Sequence, residues 1–438
     1  MISPQRRHEI IAALRRGAVP QRSLDAFAVG LERFEPALDE ELAGVERGQG
    51  IFKAVRGEYG SGKTFFARWL QEKAKKRGFA TSEVQISETE TPLHRLETIY
   101  RRLVERLSTA DTPQGAMRQI LDGWFYALEE DILASGDIRE DDEAALLANT
   151  NEMMEKRLAE ITRSAPALAA ALRAYRNAIT EADAATAEGL IAWISGQPNV
   201  AAGIKRKAGI KGDMDHFGAL SFLQGLLVIL RDSGHPGLLL VLDEVETLQR
   251  VRTDVRDKGL NALRQFIDEV DSGRFPGLYL LITGTPAFFE GPQGIQRLAP
   301  LAQRINVDFA TEARFDNPRA VQIRLPGFDR IKLGQVGRNI RDLFAQGAES
   351  KERIFALADD GYVDSLANAV TGSLGGKVGI APRIFLRKLV GDVLDRIDQF
   401  PDFNPREHYA LTLQESDLTE AERNVMAAAS VNDIELLL

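Results

Sequence analysis

The sequence predicts an α/β chain built on a five-stranded parallel sheet covered by helices on both faces, with a large helical insertion and a C-terminal helical lid. Three observations predict it. The apolar-alternating stretch "IFKAVR" runs directly into "GEYGSGKT" and then into the helix-patterned "FFARWLQEKAKKRG". The run "GLLLVLDEVE", residues 237–246, is apolar without alternation until two carboxylates close it, which is how a strand buried on both faces reads. Two further strand-like segments follow, "LYLLITGT" at 278–285 and "AVQIRL" at 320–325, separated by helical patterns.

In chain order, residues 1–48 read as short helices. Ile10, Ile11 and Leu14 recur at helical spacing, "GAVP" breaks the pattern, and "LDEELAGVERG" forms a further helix closed by Gly48. The core then spans 49–330. Its first strand covers 51–56 and a second reads "ATSEVQIS" at 80–87, with Val84 and Ile86 on one face. After Pro92 the period changes to helical: Leu93, Leu96, Ile99, Tyr100, Leu103 and Leu107 mark an amphipathic helix, and helical patterns continue to about residue 232. About 180 residues separate the glycine-rich loop from the carboxylate-ended strand. A parallel crossover needs only a dozen or more, so 92–232 is an insertion. A helix "QGIQRLAPLAQRI" precedes the fifth strand, residues 331–400 form the lid, and 401–438 remain as a tail without a convincing helix-turn-helix and wing.

Gly57-x-x-x-x-Gly62-Lys63-Thr64 has the spacing of a phosphate-binding loop. Gly57, Gly60 and Gly62 can adopt conformations closed to residues with a Cβ, which lets successive N–H groups of the loop, including those of Tyr59 and Ser61, turn inward. The following helix presents its positive end. Lys63 is placed to reach the β and γ phosphates and the Thr64 hydroxyl to ligate Mg²⁺. Asp243 at the carboxyl end of its strand is placed to hold the same Mg²⁺ through water, and Glu244 to orient and deprotonate an attacking water. Thr283 ends the next strand, positioned to hydrogen-bond that water or the γ-phosphate, with Thr285 as the alternative. Together these residues describe a nucleoside triphosphatase.

Composition excludes other classes. The absence of cysteine removes disulfides and thiolate metal sites and suits a reducing cytoplasm, while the five histidines lack metal-ligand spacing. Acidic "REDDE" at 139–143 reads as a solvated loop or helix start. No apolar run approaches the roughly 18 residues needed to span a bilayer, and the charged amphipathic N-terminus has no signal-peptide core, so no membrane association is expected. A net charge of −9 argues against coating nucleic acid over the whole surface and leaves room for local basic patches. "IKRKAGIKG" places Lys205, Arg206, Lys207 and Lys211 in a glycine-containing loop suited to phosphate contact, against the reading of a solvated charged loop. Arg6, Arg7, Arg15 and Arg16 form a weaker cluster.

The order of phosphate loop, "LLLVLDE", "LLITGT", an arginine-ended helix and a helical segment containing "GIAPRIFLRKLV" resembles the AAA+ ATPases, in particular the Orc-type initiator-like group. The resemblance implies that Asp243 and Glu244 are the Walker B pair, Thr283 is sensor 1 and Arg383 is sensor 2. It also implies an oligomer in which a neighbour supplies an arginine finger, Arg304 first and Arg297 second. A closer resemblance, from about Leu14 to Arg383, is to the BrxD-type ATP-binding proteins of BREX (bacteriophage exclusion) systems, carried by "LRRGAVPQRSLDAFAVG", "KAVRGEYGSGKTFFARWL" and "ALSFLQGLLVILRDSGHPGLLLVLDEVETLQR". That implies a bacterial cytoplasmic ATPase acting with other BREX proteins against phage DNA. Two alternatives stand beside a hydrolysing motor: an ATP-gated assembly switch using the same residues, and a metabolic kinase or transporter ATPase, which no acceptor or transporter signature supports.

Overall fold

The structure is a computed structural model that describes residues 2–134, 143–373 and 381–411. Most of the acidic stretch, 139–142, and the tail from 412 onward lie outside the described residues. The five expected strands and the helical insertion are present. Five strands, β1 (Ile51–Arg56), β2 (Ala80–Gln85), β3 (Leu238–Asp243), β4 (Leu278–Gly284) and β5 (Gln322–Arg324), pair in the order β2-β3-β4-β1-β5. Every pairing is parallel. β4 therefore separates the loop-bearing β1 from the carboxylate-bearing β3, leaving about 10 Å between them for a ligand above the sheet edge.

Helices α1 (Pro4–Arg15) and α2 (Glu35–Glu46) precede the sheet, and α3 (Lys63–Lys76) follows the glycine-rich loop. The insertion contributes α4 (Leu96–Glu105), α5 (Met117–Ala134), α6 (Glu143–Ser164), α7 (Pro166–Thr180), α8 (Ala184–Ile194), α9 (Ala202–Lys207) and α10 (His216–Asp232). After β3 come α11 (Thr253–Asp271), α12 (Pro286–Glu290) and α13 (Ala299–Ile305). The lid holds α14 (Arg330–Ala345), α15 (Lys351–Leu357), α16 (Asp360–Ser373) and α17 (Ala381–Arg387), the last continuing through a π-helical stretch, Lys388–Leu394. The single helix expected over 293–305 is instead a 3₁₀ turn, Ile295–Arg297, followed by α13, because Pro300 in the first turn suits a helix start and disfavours an interior.

The strand alternation divides the core in two. Leu238, Leu240 and Leu242 of β3, with Leu280 and Ile282 of β4, face a cluster continuous with the insertion helices. Leu239 and Val241, with Tyr279 and Leu281, face a second cluster containing α1, α3 and the lid. Neither half of this sheet is exposed, which explains why β3 reads as an unbroken apolar run. Buried Lys53 pairs with Glu41 of α2 and donates to the Pro318 carbonyl at 2.9 Å, pinning the N-terminal segment to β1. The segment read as a basic loop at 204–212 is in part helical, with Lys205, Arg206 and Lys207 in the last turn of α9.

Candidate functional site

At the carboxyl edge of the sheet, β1 turns into the glycine-rich loop with the Gly57 amide held by the Gly284 carbonyl at 3.1 Å. Gly60 and Gly62 have φ of 76° and 92°, left-handed conformations that a Cβ would strain by about 1–2 kcal/mol each. At Gly57 the constraint is space, since a Cβ would lie 2.2 Å from Ser61 Oγ. Lys63, buried at the start of α3, donates to the carbonyls of Gly57 (2.9 Å) and Glu58 (3.2 Å). Its ammonium also lies 5.6 Å from the centre of the Tyr59 ring.

One hydrogen bond joins the two halves of the site. Thr64 Oγ1 donates to Asp243 Oδ2 at 2.9 Å, across 179 residues of sequence. The other carboxylate oxygen of Asp243 accepts from the Thr283 hydroxyl and, at 3.1 Å, from the Glu244 amide. Burial pushes the Asp243 carboxyl up from its ordinary range, opposed by the hydrogen bond from Thr283. Register accounts for this clustering, because Gln85 lies opposite Asp243 and the preceding pair, Leu242 and Ile282, brings Thr283 beside Asp243. Glu244 itself has φ of 60°, rare for a residue with a side chain, and Gln85 Nε2 donates to its carboxylate at 2.9 Å.

A cavity of about 400 Å³ with two chemically distinct ends opens at this edge. Tyr59, Gly60, Ser61, Gly62, Lys63, Thr64, Asp243 and Glu244 supply the polar end. Gly57 shapes the loop from behind without lining the cavity. The apolar end comes from segments remote in sequence: Val19 and Pro20, Phe27, Val29, Leu31 and Phe34, Phe328, and Pro382 with Leu386 of the lid. Arg383 also lines the cavity, with Nη1 3.3 Å from the position a Gly17 Cβ would take. Thr283 is fully buried and stands behind Asp243, outside the lining, donating to that carboxylate and accepting from the Glu244 amide at 3.3 Å.

Two residues absent from the sequence reading belong here. Gln85 was legible only as a strand end, and its tether to Glu244 appears with the strand register. Glu246, in the 3₁₀ turn Val245–Gln249, lines the cavity, is only 7% exposed, and has no hydrogen-bond partner for Oε2 among the described residues. Burial raises its carboxyl to about 7, opposed by the Lys63 ammonium. An acidic residue three positions after Asp243 is the signal that would have found it.

The arginine-finger candidates lie elsewhere. Arg304 pairs with Asp268 at 2.5 Å and Arg297 with Asp257 at 3.0 Å, both carboxylates on α11, and neither arginine lines the cavity of its own chain. In the basic segment, Lys205 pairs with Asp213 and the exposed Lys207 with Asp183, each at 2.7 Å, while Arg206 and Lys211 are exposed without an ion pair among the described residues.

The site fits a magnesium nucleotide. The loop has no space for a side chain at Gly57, Ser61 Oγ is buried without a hydrogen-bond partner among the described residues, and Thr64 with Asp243 offers the hard oxygen donors that Mg²⁺ prefers. Among the described residues no helix is long and apolar enough to cross a membrane. No curated protein matches the chain. Nine chains of solved structures match it. One, described as the Aeropyrum pernix ORC2 protein in ADPNP–ADP complexes, has 14% identity and a TM-score of 0.32, over 82% of this chain and 66% of that one, just under two thirds of its length. The family described as BREX system ATP-binding protein BrxC/D matches residues 2–413, nearly the whole sequence, and the chain belongs to that family.

Proposed function

We propose that the chain is an AAA+-type ATPase that binds MgATP in the cavity between the glycine-rich loop and the tip of β3, and hydrolyses it. The observation that carries this reading is the 2.9 Å contact between Thr64 and Asp243, which brings the phosphate loop and the carboxylate edge to one point. In this account the amides of 60–64 and Lys63 hold the β and γ phosphates, and the apolar end receives the base. Mg²⁺ held by Thr64 and Asp243 would neutralise charge on the phosphate oxygens. Glu244 orients a water, takes its proton as the oxygen bonds to the γ-phosphorus, and ADP leaves with the electrons of the broken P–O bond. Thr283 acts by fixing Asp243, and Arg383 by linking the lid to the phosphates. Arg304 or Arg297 serves the neighbouring site in a homo-oligomer, once released from its α11 carboxylate. The setting is cytoplasmic, in BREX defence against phage, with other BREX proteins or DNA as what the ATPase acts on.

The second reading, an ATP-gated switch that hydrolyses slowly, is favoured by one observation: one oxygen of the Glu244 carboxylate is held by Gln85, which would have to let go for that oxygen to take a proton from water. Phosphate release under saturating MgATP, with and without DNA, separates the two. The ATPase reading expects turnover that Glu244→Gln lowers by about 10²–10⁴-fold while nucleotide affinity is kept. Equal rates in both proteins would sink it.

A further inference from the structure

A second concavity lies at the far end of α3, sharing no lining residue with the nucleotide cavity. It has a volume of about 540 Å³ and collects basic side chains from separate parts of the chain: Arg6 of α1, Arg22, Lys75 and Lys76 near the end of α3, and Arg106 just after α4. The only carboxylates lining it are already engaged. Glu72 accepts the amides of Ser23 and Leu24, both at 2.9 Å, and Glu83 is bound by Arg68 and Gln71 at 3.0 Å.

Lys76 pairs with Asp25, outside the lining. Arg22 and Lys75 have no ion pair or side-chain hydrogen bond among the described residues, and both are half-buried. Burial, and then the charge of Arg22, hold the Lys75 ammonium below its usual range, opposed by the more weakly acting carboxylates of Glu72 and Glu83. A solvated charged face does not have this form, because exposed lysines and arginines turn into water and away from one another. Cations in the last turn of α3 also complement its helix dipole, yet that accounts for none of Arg6, Arg22 or Arg106. Cations gathered in a concave, low-dielectric wall focus a positive potential that an anion with several charges would relieve. The amide side chains of Gln21 and Gln114 add neutral donors at the rim.

We propose that this cleft binds a run of closely spaced phosphate groups, with Arg22 and Lys75 as the central contacts and Arg6 and Arg106 flanking them. A nucleic-acid backbone and a small polyphosphate share this chemistry. The assignment differs from the one suggested by sequence, since two of the lysines of 205–211 are spent on aspartates while Arg22 and Lys75 are not. The α1 arginine cluster is likewise divided: Arg15 is bound bidentately by Asp395 at 2.6 and 2.7 Å, and Arg6 faces the cleft. α3 connects the cleft to the phosphate loop, so one rigid element has phosphate chemistry at both ends.

The test measures anisotropy of labelled single-stranded and duplex oligonucleotides on the full chain across a salt series, with inorganic tripolyphosphate as competitor. Nucleotide binding at the glycine-rich loop serves as the folding control. Arg22→Ala/Lys75→Ala is expected to weaken oligonucleotide binding at least tenfold and to lower the slope of log K against log salt by about 1.4–1.8, while ATP affinity is kept. Lys63→Ala is expected to show the reverse, so failure of the ATP reading and failure of this one are distinguishable. Lys205→Ala/Arg206→Ala is expected to change neither. Tripolyphosphate binding that depends on Arg22 and Lys75, without oligonucleotide binding, supports the site and identifies a small polyphosphate as its ligand. An unchanged slope in the Arg22/Lys75 variant, or no binding of either probe, overturns the proposal.

Discussion

The polar and apolar ends of the nucleotide cavity are assembled by opposite strategies. The polar end needs two short stretches, 57–64 and 243–246, and its contacts are made by backbone amides and a few side chains held at strand tips. The apolar end draws on Val19, Phe27, Phe34, Phe328 and Leu386, which no local pattern links and which only the packing of α1, α3 and the lid brings together. A charge-assisted contact to a phosphate fails outright when its one donor is removed, whereas a wall of dispersion contacts weakens by degrees. The polar end should therefore be brittle and the apolar end tolerant.

The largest effect that tests this contrast is Lys63→Ala, expected to weaken ATP binding about 100-fold, measured by titration calorimetry, since a buried ammonium shared between two phosphates has no substitute. Retained affinity would erase the contrast. At the apolar end, Phe328→Ala is expected to weaken binding by about tenfold, near the 0.5–1.5 kcal/mol typical of an aromatic contact, and to weaken ATP and ADP equally because the base is common to both. A loss confined to ATP would place Phe328 at the phosphates instead.

The remaining test concerns Glu246 and reads stability rather than affinity. Its carboxyl is raised in the folded chain to about 7, so the fold holds it neutral while the unfolded chain releases the proton near the ordinary value of 4.5. The stability it contributes is full below pH 4.5 and is lost as pH rises through about 7. Glu246→Gln should therefore flatten the pH dependence of denaturation between about 4.5 and 7 and make the variant relatively more stable above 7, by up to about 3 kcal/mol. An unchanged pH profile would show that the group titrates normally in the fold.

What the sequence disclosed follows the same division. Gly57, Gly62, Lys63 and Thr64 were legible because the loop's conformation is set within eight residues, and Asp243 because a carboxylate closing an apolar strand has few structural uses. The parallel sheet was legible for a similar reason, since strands buried on both faces leave an unbroken apolar signature. Gln85 and Glu246 were not, because their relation to Glu244 and Lys63 depends on register and on a turn after β3. Strand-end position points Thr283 to the attacking water or the γ-phosphate, and cannot reveal that its hydroxyl also bridges Asp243 and the Glu244 amide. The ion pairs of Lys205 and Lys207, and the regrouping of Arg6 with Arg22 and Lys75, are tertiary facts that charge spacing along the chain cannot contain.

The claim on which the rest depends is that Thr64 and Asp243 act on one magnesium nucleotide. The direct test is a double-mutant cycle of ATP affinity with and without Mg²⁺, using Thr64→Val, Asp243→Asn and the pair together. The account predicts that each single variant loses most of the Mg²⁺-dependent gain in affinity and that the double variant loses little more. Additive losses, or a gain that survives in both single variants, would contradict it.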